Sequence, residues 1–192
     1  MVREFNGTSI VFRLVRLEDA AEIVRLRTDP RGAHFLSETS RHVTAQRQWI
    51  EAYLERERSG RELYYMICRP GGRAAGTLRL YDFCGPSFRW GSWVIEARAP
   101  WHFAIESFFF VHELGFTLMG FQEVRMETRL DNQPIIKFLQ RMGAGIVGQD
   151  AEEYHFLLRR ETYEGYRDRY ARFLPQGLAA KADLRHFDVL RA

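Results

Sequence analysis

The chain is almost without lysine: Lys137 and Lys181 are its only two in 192 residues. Its basic residues are therefore nearly all arginine, and acids interleave with them to leave a net charge of only +3. No polybasic run interleaved with aromatics occurs, which argues against nucleic-acid binding. Cysteine is scarce too. Cys68 and Cys84 make neither a disulfide framework nor a metal cluster, and read as two reduced thiols of a cytoplasmic protein. No apolar run reaches the ~18 residues of a membrane span, so no membrane partner is expected. The opening residues, MVREFNGTSIVF, carry charge and Asn-Gly where a signal peptide would be apolar. No internal repeat or linker stands out, and no spacing suggests a metal site.

What is present suits one domain. Hydrophobic residues make up 46% of the chain, enough for a sizeable core at this length. Residues 10–14 predict a first strand. Residues 18–29 predict an amphipathic helix with acids in its first turn and Ala21, Val24 and Leu26 among its apolar positions, ended by Asp29-Pro30-Arg31-Gly32. A polar loop with His34, Glu38 and His42 follows. Thr44 is placed to cap the next helix, which carries Trp49, Ile50, Tyr53 and Leu54 and ends near Ser59-Gly60. The period then changes. Residues 63–68, 74–81 and 88–95 predict a three-stranded meander, turned at Pro70-Gly71-Gly72 and Gly85-Pro86. Residues 103–118 predict a helix apolar on nearly every side, hence buried, with His112 and Phe108-Phe109-Phe110 as core. A strand over 124–129 follows, then a helix with Pro134 early and Ile135, Phe138, Leu139 and Met142 as its stripe. Residues 146–148 and 154–158 predict a closing hairpin. Tyr163, Tyr166, Tyr170 and Phe173 line a last helix. The expected organisation is one domain over residues 1–175 with a tail at 176–192. The helix between the strands at 88–95 and 124–129 implies that those two run parallel, side by side.

The functional signals concentrate in residues 90–144. A strand runs into Ala99-Pro100-Trp101-His102-Phe103-Ala104. A helix then opens Ala104-Ile105-Glu106-Ser107, and Asp131-Asn132 precedes a helix closed by Gly143. This order resembles the acyl-CoA-binding half of the GNAT N-acetyltransferases, and the resemblance extends over residues 12–159. It implies an α/β fold: a central mixed, mostly antiparallel sheet with one parallel, splayed strand pair, flanked by helices. It also implies acetyl-CoA, its pyrophosphate held by loop N–H groups and a helix N-terminus. In the family's loop, R/Q-x-x-G-x-G/A, Ala99 stands at the Arg/Gln position, His102 at the first glycine, and Ala104 keeps the small residue. Every residue of this loop except Pro100 has an N–H to offer. The cofactor contacts implied are Val94, Ile95, Arg98, Ala99, Trp101, His102, Phe103, Ala104, Asn132 and Phe138. Asn132 also suits a helix N-cap. Leu139 stands where the family often has a tyrosine acid, and Ala144 where it has phenylalanine. The run YYMICRPGGRAAGTLRLYDFCGPSFRWGSWVI, with AIES and RMGA, is similar to GNAT proteins of surface-polysaccharide and flagellin-sugar clusters. Those acetylate amines of nucleotide-linked deoxysugars, and their loop too has Pro and an A-I-E-S start. A small-molecule acceptor of that kind is implied.

Amide formation from a thioester needs a neutral amine, an aligned carbonyl and a donor for the developing oxyanion. An amine of pKa about 10.4 costs roughly 4–5 kcal/mol to neutralise at pH 7, so a base helps; a sugar amine is less basic and asks for less. Ribosomal-type relatives often place a Glu where this chain has Arg89. The candidates left are Glu96, Glu127, and His34 or Glu38. Each has a plain structural alternative: a solvated strand end, an ion pair with Arg125 or Arg129, and an ordinary loop. A backbone N–H among residues 94–96 suits the oxyanion. Tyr81, Asp82, Trp90 and Trp93 are the candidate acceptor contacts, strand alternation putting the two tryptophans on opposite faces. A ribosomal-protein-type acetyltransferase and a GNAT fold without catalysis remain open beside the sugar enzyme. A homodimer through an edge strand at 154–158 or the Tyr-rich helix is a further expectation.

Overall fold

The computed structural model describes residues 4–175; the tail expected at 176–192 lies outside them. Eight strands form one sheet in the order β1-β2-β3-β4-β5-β6-β8-β7. The strands are β1 (Glu4–Asn6), β2 (Val11–Leu14), β3 (Leu63–Cys68), β4 (Ala74–Cys84), β5 (Ser87–Ile95), β6 (Glu123–Arg129), β7 (Gly145–Gln149) and β8 (Glu153–Arg159). The helices are α1 (Ala20–Arg27), α2 (Val43–Arg58), α3 (His102–His112), α4 (Gln133–Arg141) and α5 (Arg160–Arg167). Every strand pair is antiparallel except β5–β6, which α3 joins in parallel as expected. β1 was not anticipated: three residues carry too little alternation to declare a strand.

The sheet is covered on both faces, so its central strands bury both sets of side chains. α1 and α2 pack Ile23, Leu26, Ile50 and Tyr53 against Tyr64 and Met66 on one face. On the other, α3, α4 and α5 close a larger core around Phe12, Phe88, Phe110, Phe156 and Tyr163. α2 starts at Val43 with His42 at its N-cap position, so Thr44 lies inside the helix rather than capping it. The stripe of α4 buries Ile136, Leu139 and Met142, while Ile135 and Phe138 are only partly covered. Residues 154–158 do not form an edge. β8 lies between β6 and β7, and the edge on this side is β7, where Ile146 and Val147 are 42% and 61% exposed.

The apolar segment after residue 102 is largely buried, with Thr117 exposed, but it is not one regular helix. α3 passes into a wide π turn at Glu113–Leu118. Gly115 there faces Phe88 of β5, and a Cβ at that position would sit 2.3 Å from the ring's Cζ. Glu106, of the A-I-E-S run, is a strut. Its carboxylate accepts the Ser9 N–H at 3.0 Å and the Ser9 hydroxyl, tying the β1–β2 connection to α3.

His112 is core, as the sequence indicates. Its ring lies 4.0 Å from Phe108 and 5.4 Å from Tyr163, and Nδ1–H donates to the Phe108 carbonyl at 2.6 Å. Burial pushes its pKa down to about 3. Folded His112 therefore stays neutral while an unfolded histidine, near 6.5, takes up a proton. The stability it permits is present above about pH 6.5 and drains away as pH falls toward the folded value. Urea unfolding at pH 7 and pH 5 should show the wild type losing about 2 kcal/mol more than His112→Phe. Equal losses would mean that the ring is protonated within the fold.

Among the described residues no helix is long and apolar enough to cross a membrane, and no group of three or more His, Cys, Asp or Glu is placed to hold a metal ion.

Candidate active site

The parallel strands stay together only briefly. Ser87–Arg89 pairs with Glu123–Arg125, and then β5 and β6 diverge. On its other side β5 carries a bulge: Thr77 of β4 pairs with Val94 but Arg79 pairs with Gly91, so β5 holds one residue more than β4. Ser92 takes the extra turn with φ +47°, and its carbonyl accepts the Thr77 hydroxyl at 2.8 Å. The bulge overturns the expected alternation. Trp90 and Trp93 lie on one side of the strand, ring centroids 4.9 Å apart. The Trp93 indole N–H donates to Ser107 Oγ at 3.0 Å, and its ring packs on Phe138 at 5.4 Å. Gly91 has its own purpose: a Cβ there would meet Tyr81 Oη at 2.9 Å, so its absence lets Tyr81 fold across the strand.

Strand divergence and bulge together open a cavity of about 610 Å³. Its walls are β5 from Trp90 to Ile95 with Glu96 and Ala97 after it, Met126, Glu127 and Thr128 of β6, the start of α4, and the end of α1 with the following segment. Of the expected cofactor contacts, Val94, Ile95 and Asn132 line it. Asn132 holds the N-cap position of α4, yet its side chain makes no capping bond, and the residue is only 8% exposed. Leu139 lines the cavity as well, whereas Phe138 packs on Trp93 and Phe108 instead.

The loop at residues 99–104, expected to hold a phosphate, has fewer free donors than its sequence suggests. The N–H groups of Ala99, Phe103 and Ala104 bond the carbonyls of Glu96, Pro100 and Trp101 at 2.9, 3.0 and 3.3 Å. Phe103 is buried. The outer surface of the loop is left to Arg98, which is exposed, to Trp101, 66% exposed, and to His102 at the start of α3.

The candidate bases separate clearly. Glu96 is 9% exposed and sits among three guanidiniums, Arg69 at 2.6 Å, Arg73 at 3.6 Å and Arg25 at 3.8 Å. Both of its oxygens are engaged in these ion pairs. His34 packs its ring on Phe35 at 3.8 Å; it is Phe35, Leu36 and Ser37 that line the cavity, and neither His34 nor Glu38 does. Glu127 does line it. Its partners are Arg89 at 2.8 Å and His155 at 3.6 Å, rather than Arg125 or Arg129, and both contacts fall on Oε1. Tyr81 lines the cavity with the Arg79 guanidinium 4.3 Å above its ring, and burial raises its hydroxyl pKa. Asp82, at φ +49°, points to Arg89 at 3.6 Å, with its side chain 63% exposed and away from the cavity.

Lining residues that escaped the sequence include Glu153 and Arg27. Glu153 begins β8 on the cavity wall, its carboxyl raised by burial and by the neighbouring charges of Glu127 and Asp150. In the sequence it is one acid of a polar turn. Arg27 also lines the wall, but as the last residue of α1 it passes for an arginine that complements a helix dipole.

Comparison with known proteins agrees with this architecture. A model of the GNAT acetyltransferase domain matches residues 9–145. The solved structure of apo FdhC, a nucleotide-linked sugar GNAT, is 33% identical with a TM-score of 0.80, over 89% of this chain and 98% of that one. Mycobacterium smegmatis RimJ in complex with CoA-disulfide is 18% identical, TM-score 0.70, over 86% and 92%. The ribosomal-protein-S5-alanine acetyltransferase of Vibrio fischeri is 12% identical, TM-score 0.70, over 83% and 98%. At those identities the last two show a shared fold alone. No curated protein matches the sequence. The chain belongs to the GNAT acetyltransferase family and is an acyltransferase.

Proposed function

We propose that this protein transfers an acetyl group from acetyl-CoA directly to the amine of a nucleotide-linked amino sugar, without an acyl-enzyme intermediate. The observation that carries this is the cavity. It opens where β5 leaves β6, has aromatic and arginine walls, and belongs to a chain 33% identical to a nucleotide-linked sugar GNAT over nearly its full length. GNAT acetyltransferases use acetyl-CoA, which supplies an activated thioester carbonyl.

The residues present fit that group. Beyond Arg89 the β6-facing backbone of β5 has no strand partner, and Val94 and Ile95 of that free edge line the cavity. The Glu96 N–H is already bonded to the Ala75 carbonyl on the β4 side at 2.8 Å, which removes it as an oxyanion donor. Strand alternation turns the neighbouring Ile95 N–H the opposite way, into the split, so Ile95 is the donor proposed. Arg98, Trp101 and His102, on the outer surface of the loop, would hold the pyrophosphate of acetyl-CoA. Glu127, whose nearest contacts to Arg89 and His155 both fall on Oε1, takes the proton of the acceptor amine through its carboxylate. Tyr81 and Phe35 flank the sugar. The N-acetylated product is a building block for polysaccharide assembly.

The test is CoA release by purified protein from acetyl-CoA, over a panel of amino-sugar nucleotides, simple amines and peptides. Turnover of the sugar nucleotides with kcat/KM at least ten times that of any peptide is expected. Peptide turnover without sugar turnover would replace this proposal with a ribosomal-type acceptor.

A further inference from the structure

Three guanidiniums line the cavity: Arg27, Arg31 and Arg79. Two are neutralised by acids. Arg31 pairs with Asp29 at 2.6 Å, and Arg79 with Glu62 at 3.3 Å. Arg27 differs. Its Nε donates to Thr39 Oγ1 at 2.7 Å, and its Nη2 to Ser37 Oγ at 2.9 Å and to the Ser37 carbonyl at 3.2 Å. Tyr64 adds a phenol beside it. All of these partners are uncharged, and among the described residues no carboxylate lies within 4 Å of Arg27. A half-buried guanidinium fixed by hydroxyls and left without a counter-charge is an anion site in waiting. Its planar fork suits a phosphoryl group, and its orientation is already set.

The rest of the wall gives that anion a place in the acceptor. Arg27 ends α1 on one flank of the cavity, while Glu127 and Glu153 stand on β6 and β8 at another. The cavity is therefore polarised, with an unpaired cation toward α1 and carboxylates beyond the strand split. A molecule with an amine at one end and a phosphoryl group at the other is complementary to it. We infer that Arg27 binds the phosphoryl group of the acceptor, the diphosphate of a nucleoside-diphosphate amino sugar, and so sets the amine toward Glu127. This rests on the N-acetyltransferase function proposed above.

The experiment compares Arg27→Gln and Arg27→Lys with wild type, reading kcat and KM for an amino-sugar nucleotide and for the same amino sugar without phosphate. Uridine and thymidine diphosphate serve as inhibitors competitive with the acceptor. Losing a charge-assisted phosphate contact should raise the nucleotide-sugar KM and the diphosphate inhibition constants about 10- to 100-fold in Arg27→Gln. Arg27→Lys should recover part of this, with the KM for acetyl-CoA and the turnover of the phosphate-free sugar unmoved. Because Arg27 also ties down Ser37 and Thr39, Ser37→Ala with Thr39→Val serves as the control that loosens the segment but keeps the cation. If that control reproduces the Arg27→Gln effect, Arg27 acts through the loop and the inference fails. Equal wild-type turnover of the sugar with and without phosphate overturns the anion site while leaving N-acetyl transfer standing. No turnover of any amine overturns the function beneath it and this inference with it.

Discussion

Glu127→Gln should lower kcat about 10²- to 10³-fold at pH 7, within the usual range for removing a general base, while leaving the KM for acetyl-CoA near its wild-type value. The amide keeps the shape of the side chain and a hydrogen-bonding oxygen but cannot take a proton at neutral pH. Competing carboxylates are fewer than the sequence offers. Glu96 is held by Arg69, Arg73 and Arg25. Glu153 shares the cavity wall, and its raised carboxyl makes it a rival. Glu127 has the better surroundings for proton removal. Arg89 steadies Oε1, and His155 stands between it and Asp150, with Nε2 3.2 Å from the Asp150 carboxylate, offering a route for the proton to solvent. The deficit should narrow as pH rises toward the pKa of the acceptor amine, since an amine already neutral needs no base. Initial rates between pH 6.5 and 9.5, with Glu153→Gln in parallel, check this. A deficit independent of pH would make Glu127 a binding residue only, and a larger loss in Glu153→Gln would move the role to that carboxylate.

The contrast between Glu96 and Glu127 shows where sequence stops informing. Glu96 follows the end of β5 and Glu127 lies within the neighbouring β6, and local pattern gives neither a partner. The three arginines around Glu96 come from α1, β3's end and the following turn, positions that only the folded sheet brings together. The order of strands and helices, the parallel β5–β6 pair and the buried 103–118 segment were legible because each is written in periodicity and turn residues within one stretch of chain. The side chosen by Trp93 was not. One extra residue at Gly91-Ser92 reverses every side chain after it, and period-2 counting has no means of seeing a bulge. The loop donors failed for a related reason. A count of N–H groups ignores the turns at Glu96–Ala99 and Pro100–Ala104 that spend three of them. Arg27 was hidden differently: its importance lies in a missing partner, and a sequence does not list what a residue fails to touch.

The largest effect on stability should come from Arg167→Ala. Glu113, which opens the π turn after α3, is only 5% exposed, and its carboxylate is satisfied mainly from α5. Tyr163 Oη donates at 2.6 Å, Arg167 donates through Nη2 at 3.0 Å and also through Nε, and Thr117 adds a bond at 3.2 Å. Burial by itself would push the Glu113 carboxyl up; the bonds from Arg167 and Tyr163 outweigh it and hold the pKa below the ordinary value. Because the folded pKa is depressed, this carboxylate contributes stability above the unfolded value near 4.3, and that contribution is lost as pH falls through the folded one. Removing Arg167 leaves a buried charge without its cation. The full penalty for such a break is about 3–5 kcal/mol, and because the Arg167 side chain is 35% exposed and partly screened, about 2–3 kcal/mol is expected here. For a chain of this size that is a fall in Tm of roughly 5–10 °C. The sign of the pH dependence identifies the cause. With Arg167 gone, burial raises Glu113 above its unfolded value, so protonation relieves the folded state and the deficit should shrink between pH 7 and pH 4.5. Glu113→Gln combined with Arg167→Ala should recover more than half of the loss, since it removes the charge that the single variant strands. Urea unfolding of wild type, both single variants and the double variant at the two pH values decides it. A deficit that neither acid nor the second substitution reduces would show that Arg167 acts through packing of its stem on α5 rather than through its charge.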